Sequence, residues 1–356
     1  MKVLLSLAIL FSIFCSKLES GEYFSVQKSW QGFDREYLVY LPKNYSINKE
    51  KLFPVMFGLH GYTGTASGFE TETTRGMNLL ADSEDLIIVY PQGSHFQSVL
   101  GNEASFVSSW NDLFSNAVQA EGKHKKCKFD RVQYPKPPEC SDFGFCAWTS
   151  CYDDIGFLKS IIQDVSSNYR VDTKRRYMVG MSNGGAMAYR FSCLHPELLS
   201  ASVTVASSIP LSNPCSKKAD LPLLIIYGTS DATTPSDGSA SWDGYFYEPA
   251  SDTFHNWADN FNCGKKVTKL DTRFSEEKGL ICWKRSKCDS KRGEVQLCEI
   301  TGGGHSWPGQ EENVGFCRSS LQISTIKSFF SCKRHYKKLN WGNELIWDFL
   351  KQYERI

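Results

Sequence analysis

Three short stretches carry side chains whose types and order could do nucleophilic chemistry: Ser182 in GMSNGG, Asp231 in IIYGTSDATTP and His305 in TGGGHSWPG. A hydroxyl is a poor nucleophile at neutral pH, so a histidine must take its proton and an acid must orient that histidine. GMSNG matches the pattern G-x-S-x-G, and its setting gives the match weight, because RRYMV before it reads as a strand and GGAMAYRFSCLH after it as a helix. In such a tight turn the glycines relieve crowding and lift the Ser182 hydroxyl clear of the sheet. Chains built around this elbow place the acid and then the histidine after the serine. Asp231 directly follows LPLLIIYG, at the carboxyl end of an apolar strand, which removes His195 as a partner. His255 lies on SDTFHNWADNF, read as a helix that turns Phe254, Trp257 and Phe261 inward and leaves the histidine at the surface. His335 sits in the basic run KRHYKK, where neighbouring cations disfavour an imidazolium. That leaves His305, and the glycines before it suit a loop that must bring an imidazole close to another backbone.

The tetrahedral intermediate of such chemistry puts negative charge on an oxygen, which needs donors. One is the backbone N–H of Asn183, next to the nucleophile. The other is expected in FGLHGYTG, from the N–H of Tyr62 or else of Gly61. His60 precedes the serine and reads as structural. Trp307, two residues beyond His305, is expected in the cleft as a substrate-binding residue. Trp110, Trp242, Tyr245, Phe246 and Tyr247 are shared between core and approach.

The elements that must position these residues alternate in type. YLVYLP, LFPVMFGLHG, LIIVYPQG, RRYMVG, ASVTVAS, LPLLIIYG and VQLCEI read as strands. YDDIGFLKSIIQDVSSNY, with Ile155, Leu158, Ile162 and Val165 on one face, reads as a helix, as do the stretch after Ser182 and NELIWDFLKQY. That alternation implies an α/β architecture, a mostly parallel sheet with helices on both faces and function at the carboxyl ends of its strands. The apolar run of residues 1–20 reads as a signal peptide, and residues 21–356 as a single catalytic domain with disulfide-stapled insertions near 113–150, 264–298 and 310–338.

Of 13 cysteines, Cys15 leaves with the leader, and the even remainder in an exported chain reads as disulfides, with Cys193 and Cys215 as the best candidate pair. Their spacings match no CxxC pair with downstream histidines, which argues against a metal, and the serine chemistry calls for no cofactor. A formal net charge of +1 gives no reason to expect nucleic acid or an anionic membrane as partner. The NYS sequon at Asn44 marks a glycosylation site only in a eukaryotic host.

The order HGYTG, YPQG, SWND, YDDIGFL, GMSNGGAMAYR, IIYGTSDATTP, GGGHSWPG, NELIWDF resembles that of secreted α/β-hydrolases of the polyhydroxybutyrate depolymerase and feruloyl or acetylxylan esterase kind. The resemblance runs from about Gly32 to about Lys351. It implies Ser182 as nucleophile, Asp231 as acid and His305 as base, and a secreted serine esterase acting on feruloyl-type esters, short-chain esters or hydroxybutyrate oligomers. The chain departs from it in the segment after SWND and between WPG and the last helix, segments expected to border the cleft. The competing readings are a non-catalytic binding or adhesion protein on a hydrolase scaffold and a secreted serine peptidase of the same fold.

Overall fold

A computed structural model of the chain describes residues 20–73, 76–100, 103–113, 126–140, 144–209, 215, 221–275, 279–289, 293–310 and 340–355. The predicted leader, apart from Ser20, and the third predicted insertion, apart from Gln310, lie outside these residues, with Cys15, Cys317, Cys332 and His335.

Along the chain β1 (Glu22–Trp30), β2 (Phe33–Leu41) and β3 (Phe53–Leu59) lead to α1 (Ala66–Glu72), α2 (Gly76–Glu84) and β4 (Ile87–Pro91). A hairpin of β5 (Ser94–Leu100) and β6 (Glu103–Ser109) follows, then α3 (Asp154–Asn168), β7 (Val171–Met181), α4 (Asn183–Leu194), β8 (Ala201–Val205) and β9 (Leu223–Gly228). Last come α5 (Ala250–Asn260), β10 (Thr268–Leu270), β11 (Leu280–Arg285), β12 (Val295–Ile300) and α6 (Trp341–Leu350). Ten strands form one sheet in the order β1-β2-β4-β3-β7-β8-β9-β12-β11-β10. Its centre, β4 through β12, is parallel, and antiparallel strands close both sides.

The period of two along each strand divides the core. Leu223 and Ile225 of β9 join Phe57 and the inward faces of α3, α4 and α5 on one side, while Leu224 and Ile226 join Met56, Val179 and the residues of α1, α2 and α6 on the other. Burying both faces is why the central strands read as unbroken apolar runs rather than as alternating ones.

Residues 264–298 do not form the expected surface excursion. β10 and β11 extend the sheet beyond β12, and Cys282 pairs in register with Cys298 and is bonded to it. The described part of the first excursion, 126–140 and 144–150, adds no strand to the sheet and is held by Cys127–Cys146 and Cys140–Cys151. Cys193–Cys215 and Cys263–Cys288 complete five disulfides among the described residues.

One buried carboxylate ties this scaffold to its loops. Asp154, at the start of α3, pairs with Arg35 of β2 at 2.7 Å, with the side chains 0% and 5% exposed. It also accepts from the Ser94 hydroxyl at 2.8 Å and from the Asn111 N–H at 2.8 Å. Arg35 in turn donates to the Gln92 carbonyl and lies 3.9 Å over the Phe157 ring. Removing one partner would strand a buried charge. Asp154→Ala is therefore expected to lower the free energy of unfolding in urea by about 3–5 kcal/mol. An unchanged urea midpoint would show that the pair does not hold these loops.

Candidate active site

Ser182 sits at the junction of β7 and α4 with φ 55° and ψ −127°, a conformation an L-residue adopts only when its surroundings impose it. They do so here. Its N–H donates to the Val205 carbonyl at 2.9 Å, and its own carbonyl accepts from Ala186 N–H at 3.0 Å to begin the helix. Two residues on, a Cβ on Gly184 would collide with the carbonyl oxygens of Leu59 and His60, so only glycine lets α4 start against the end of β3.

Asp231 follows β9, and its carboxylate closes a turn by accepting from the N–H groups of Thr233 and Thr234, each at 2.8 Å. The other oxygen accepts from the Thr234 hydroxyl at 2.9 Å and from His305 Nδ1 at 2.8 Å. Burial alone would raise this carboxyl. The hydrogen bonds from His305 and Thr234 outweigh burial and hold it below the usual carboxylate range, so it is an anion facing the imidazole. The His305 loop crosses the end of β9 so closely that a Cβ on Gly228 would meet the Gly303 carbonyl, which is the close approach that its glycines predict. With Nδ1–H donated to Asp231, Nε2 is the free acceptor. It is buried and has no protein partner among the described residues.

The loop after β3 completes the arrangement. A Cβ on Gly61 would stand 3.3 Å from Ser182 Cβ, so the backbone that leads into Tyr62 runs directly beside the serine. His60 braces this loop, with Nδ1–H donating to the Gly61 carbonyl at 2.8 Å and Nε2 accepting from Gly93 N–H at 2.9 Å. Thr63 N–H donates to the Ser108 carbonyl at 2.7 Å. Trp110 Nε1 donates to the His60 carbonyl at 2.9 Å, and the Trp110 backbone is bonded both ways by the Asn183 amide, at 2.6 Å and 3.0 Å. The N–H of Asn183, in the first turn of α4, has no preceding carbonyl to bond.

A cavity of about 350 Å³ opens on these groups and is lined by Ser182, Asn183, Tyr62 and His305. Its walls are aromatic: Tyr134 and Trp148 come from the disulfide-held excursion, Trp242 and Tyr247 from the segment after Asp231. The rings of Tyr134 and Trp148 stand 5.3 Å and 5.4 Å from that of Tyr62. Trp307 does not belong to this wall. It is 0% exposed and packs edge-on against Phe69 at 5.4 Å, on the far side of its own loop from the serine. Trp110 is likewise buried, as a brace rather than a contact surface. Tyr134, Trp148 and Thr234 were not singled out by sequence reasoning. For Thr234 a signal existed, since Asp followed within three residues by threonines is a side-chain-to-backbone turn.

No protein-family model matches the chain. The bifunctional acetylxylan esterase/xylanase XynS20E of Neocallimastix patriciarum is 24% identical over 291 residues, covering 78% of this chain and 32% of the relative. Feruloyl esterase B of Piromyces equi is 29% identical over 163 residues, covering 43% of this chain and 29% of the relative. The chain thus spans about a third of the length of these curated relatives. Among solved structures, an acetyl xylan esterase from Aspergillus awamori matches with a TM-score of 0.50 at 15% identity, over 80% of this chain and 94% of that one. Strand order, elbow and structural likeness together define an α/β-hydrolase fold. Within that class the chain is similar in sequence to proteins named as esterases and feruloyl esterases, which supports the feruloyl esterase half of the resemblance.

The brace has its own pH signature. Burial pushes the His60 imidazole down to about 4, whereas an unfolded histidine titrates near about 6.5. Between those values the unfolded chain binds a proton that the folded site refuses. Stability tied to His60 is therefore intact above pH ~6.5 and lost as pH falls towards ~4, by about 3 kcal/mol. Glu72 acts the opposite way, because burial raises its carboxyl to about 7 and the folded state takes up its proton first. Comparison with His60→Gln cancels that opposing contribution. Unfolding free energy is expected to fall more steeply in the wild type than in His60→Gln between about pH 6.5 and 4.5; parallel slopes would exclude a buried neutral imidazole.

Proposed function

We propose that the chain is a serine esterase that cleaves carboxylic esters through an acyl-enzyme on Ser182, with Asp231 orienting His305 as general base. The observation that carries this reading is the His305 imidazole. Its Nδ1–H is committed to Asp231 at 2.8 Å, while Nε2 is buried beside the Ser182 cavity without a partner among the described residues. An unpartnered buried acceptor is costly, and it has a use only if a proton is to arrive there.

In the first half-reaction Ser182 Oγ attacks the ester carbonyl carbon and its proton passes to Nε2. The oxyanion is received by the N–H groups of Tyr62 and Asn183. Collapse breaks the carbon–oxygen bond to the alcohol, which leaves with the proton from Nε2. Water then attacks the acyl carbon, giving its proton to Nε2, and collapse returns that proton to Ser182 and releases the acid. Asp231 stays ionised throughout and favours the transient imidazolium. No metal or cofactor takes part in these steps.

The aromatic walls favour an apolar or aromatic acyl group, so feruloyl-type esters, short-chain esters and hydroxybutyrate oligomers are the substrates to try first. The names of the sequence relatives, an acetylxylan esterase/xylanase and a feruloyl esterase, support ester chemistry. Five disulfides among the described residues suit an oxidising compartment, and with the leader read from the sequence they support export. A non-catalytic scaffold would have no use for the strained serine or the orphaned Nε2.

Ser182→Ala is expected to lower kcat by on the order of a millionfold, and Asp231→Asn by about ten-thousandfold through the wrong imidazole tautomer. Initial rates on p-nitrophenyl acetate and methyl ferulate check both. More than a few per cent of wild-type rate in Ser182→Ala would remove the serine from the mechanism.

A further inference from the structure

Among the described residues that line the Ser182 cavity, Asp243 carries the only carboxyl, and no lysine or arginine lines it. The residue is 5% exposed. Its oxygens are held by hydroxyl groups alone, Tyr134 at 2.5 Å on Oδ2 and Ser241 on Oδ1. The same residue is anchored through its backbone, where its carbonyl accepts from Val132 N–H at 2.8 Å. Burial first, and then the bond to Asp243, push the Tyr134 phenol up, so it remains a donor. A carboxylate offers about four acceptor positions, and the two hydroxyls fill two of them. Neither hydroxyl cancels the charge. The cavity thus has aromatic walls with neutral hydroxyl groups between them, and one carboxylate that no cation among its lining residues neutralises.

We propose that Asp243, held by Tyr134 and Ser241, is a specificity-determining residue of this cavity. It admits acyl groups that end in a neutral or cationic hydrogen-bond donor and turns away those that end in a carboxylate. A donor finds an open lone pair in a water-poor site, where the bond is stronger than at the surface. A second carboxylate would face like charge with no counter-ion. The proposal rests on the esterase reading for its substrate, but the selectivity belongs to the pocket and can be read without turnover.

The test uses methyl esters that share one leaving alcohol and differ only at the far end of the acyl chain: methyl ω-aminohexanoate, methyl ω-hydroxyhexanoate, methyl heptanoate and monomethyl adipate. For the wild type, kcat/KM on the hydroxy and amino esters is expected to exceed that on the adipate ester by at least ~10-fold, a modest result for a partly screened charge pair. Asp243→Asn keeps the shape and removes the charge, and should bring the hydroxy-to-adipate ratio to within about threefold. Equal wild-type rates on the two esters, or a ratio unchanged in Asp243→Asn, would overturn the proposal. The wild-type ranking decides the matter even if the variant does not fold. Binding of the same four esters to Ser182→Ala, followed by ligand-observed NMR, separates the two readings. The same ranking in binding with no ester hydrolysed by the wild type would sustain the pocket assignment and sink the esterase. Hydrolysis of all four without a ranking would do the reverse.

Discussion

Three backbones must meet at Ser182 with no side chains between them, and the rest of the site depends on that contact. Gly180 and Gly184 face each other across the elbow, and Gly184 also faces the carbonyls that end β3, so a methyl group on Gly184 would wedge the nucleophile away from the loop beside it. The strain at Ser182, of order 1–3 kcal/mol for a non-glycine residue at such angles, persists only because both sides are fixed. On one side α4 begins in register with the serine carbonyl, and on the other the Val205 carbonyl holds its N–H. The sheet therefore sets the position of the proposed nucleophile through main-chain geometry, where rotamer freedom cannot blur it.

What the sheet fixes on one side, a polar chain fixes on the other. From Arg35 and Asp154 the bonds run to Asn111, and the neighbouring Trp110 is gripped by the Asn183 amide and donates through its ring to His60, which holds Gly61 and Gly93. Each group in this path is buried, so a broken member leaves its neighbour without water to replace it. That makes the path stiff, and it explains why the short stretch SWND matters although none of its side chains reaches the cavity. Trp110 is the spacer that couples the β6 end to the elbow.

The chemical half of the site was legible in the sequence because its determinants are local. A strand, a tight turn and a helix announce Ser182 within a few residues; an apolar strand ending in an acid announces Asp231; glycines with no packing role announce His305. The walls were not legible, because Tyr134 and Trp148 reach Tyr62 through two disulfides and a pairing of Cys127 with Tyr245 that no local pattern encodes. Trp307 shows the limit of proximity along the chain. Two residues after His305 the loop has turned over, and the indole meets Phe69 in the core, which its size favours over a place in water. The strands β10 and β11 were missed because charged and half-buried residues at a sheet edge look like a loop when only apolar runs are counted.

Two carboxylates at the site, Asp231 and Asp243, are handled alike, and that similarity has a physical consequence. Asp231 is satisfied by two backbone N–H groups, a threonine hydroxyl and an imidazole N–H, and Asp243 by a phenol and a serine hydroxyl. Neither has an arginine or lysine partner among the described residues. A cation would have made each carboxylate cheaper to bury but would have cancelled its field. Neutral donors solvate the anion while leaving its charge uncompensated. At Asp231 that uncompensated charge acts on the imidazole 2.8 Å away, where positive charge would appear and vanish in the proposed reaction. At Asp243 it acts on whatever enters the cavity that Asp243 shares with Ser182. The first N–H groups of α4, directly after Ser182, add positive partial charge at the point where, in the proposed reaction, a carbonyl oxygen would become an anion.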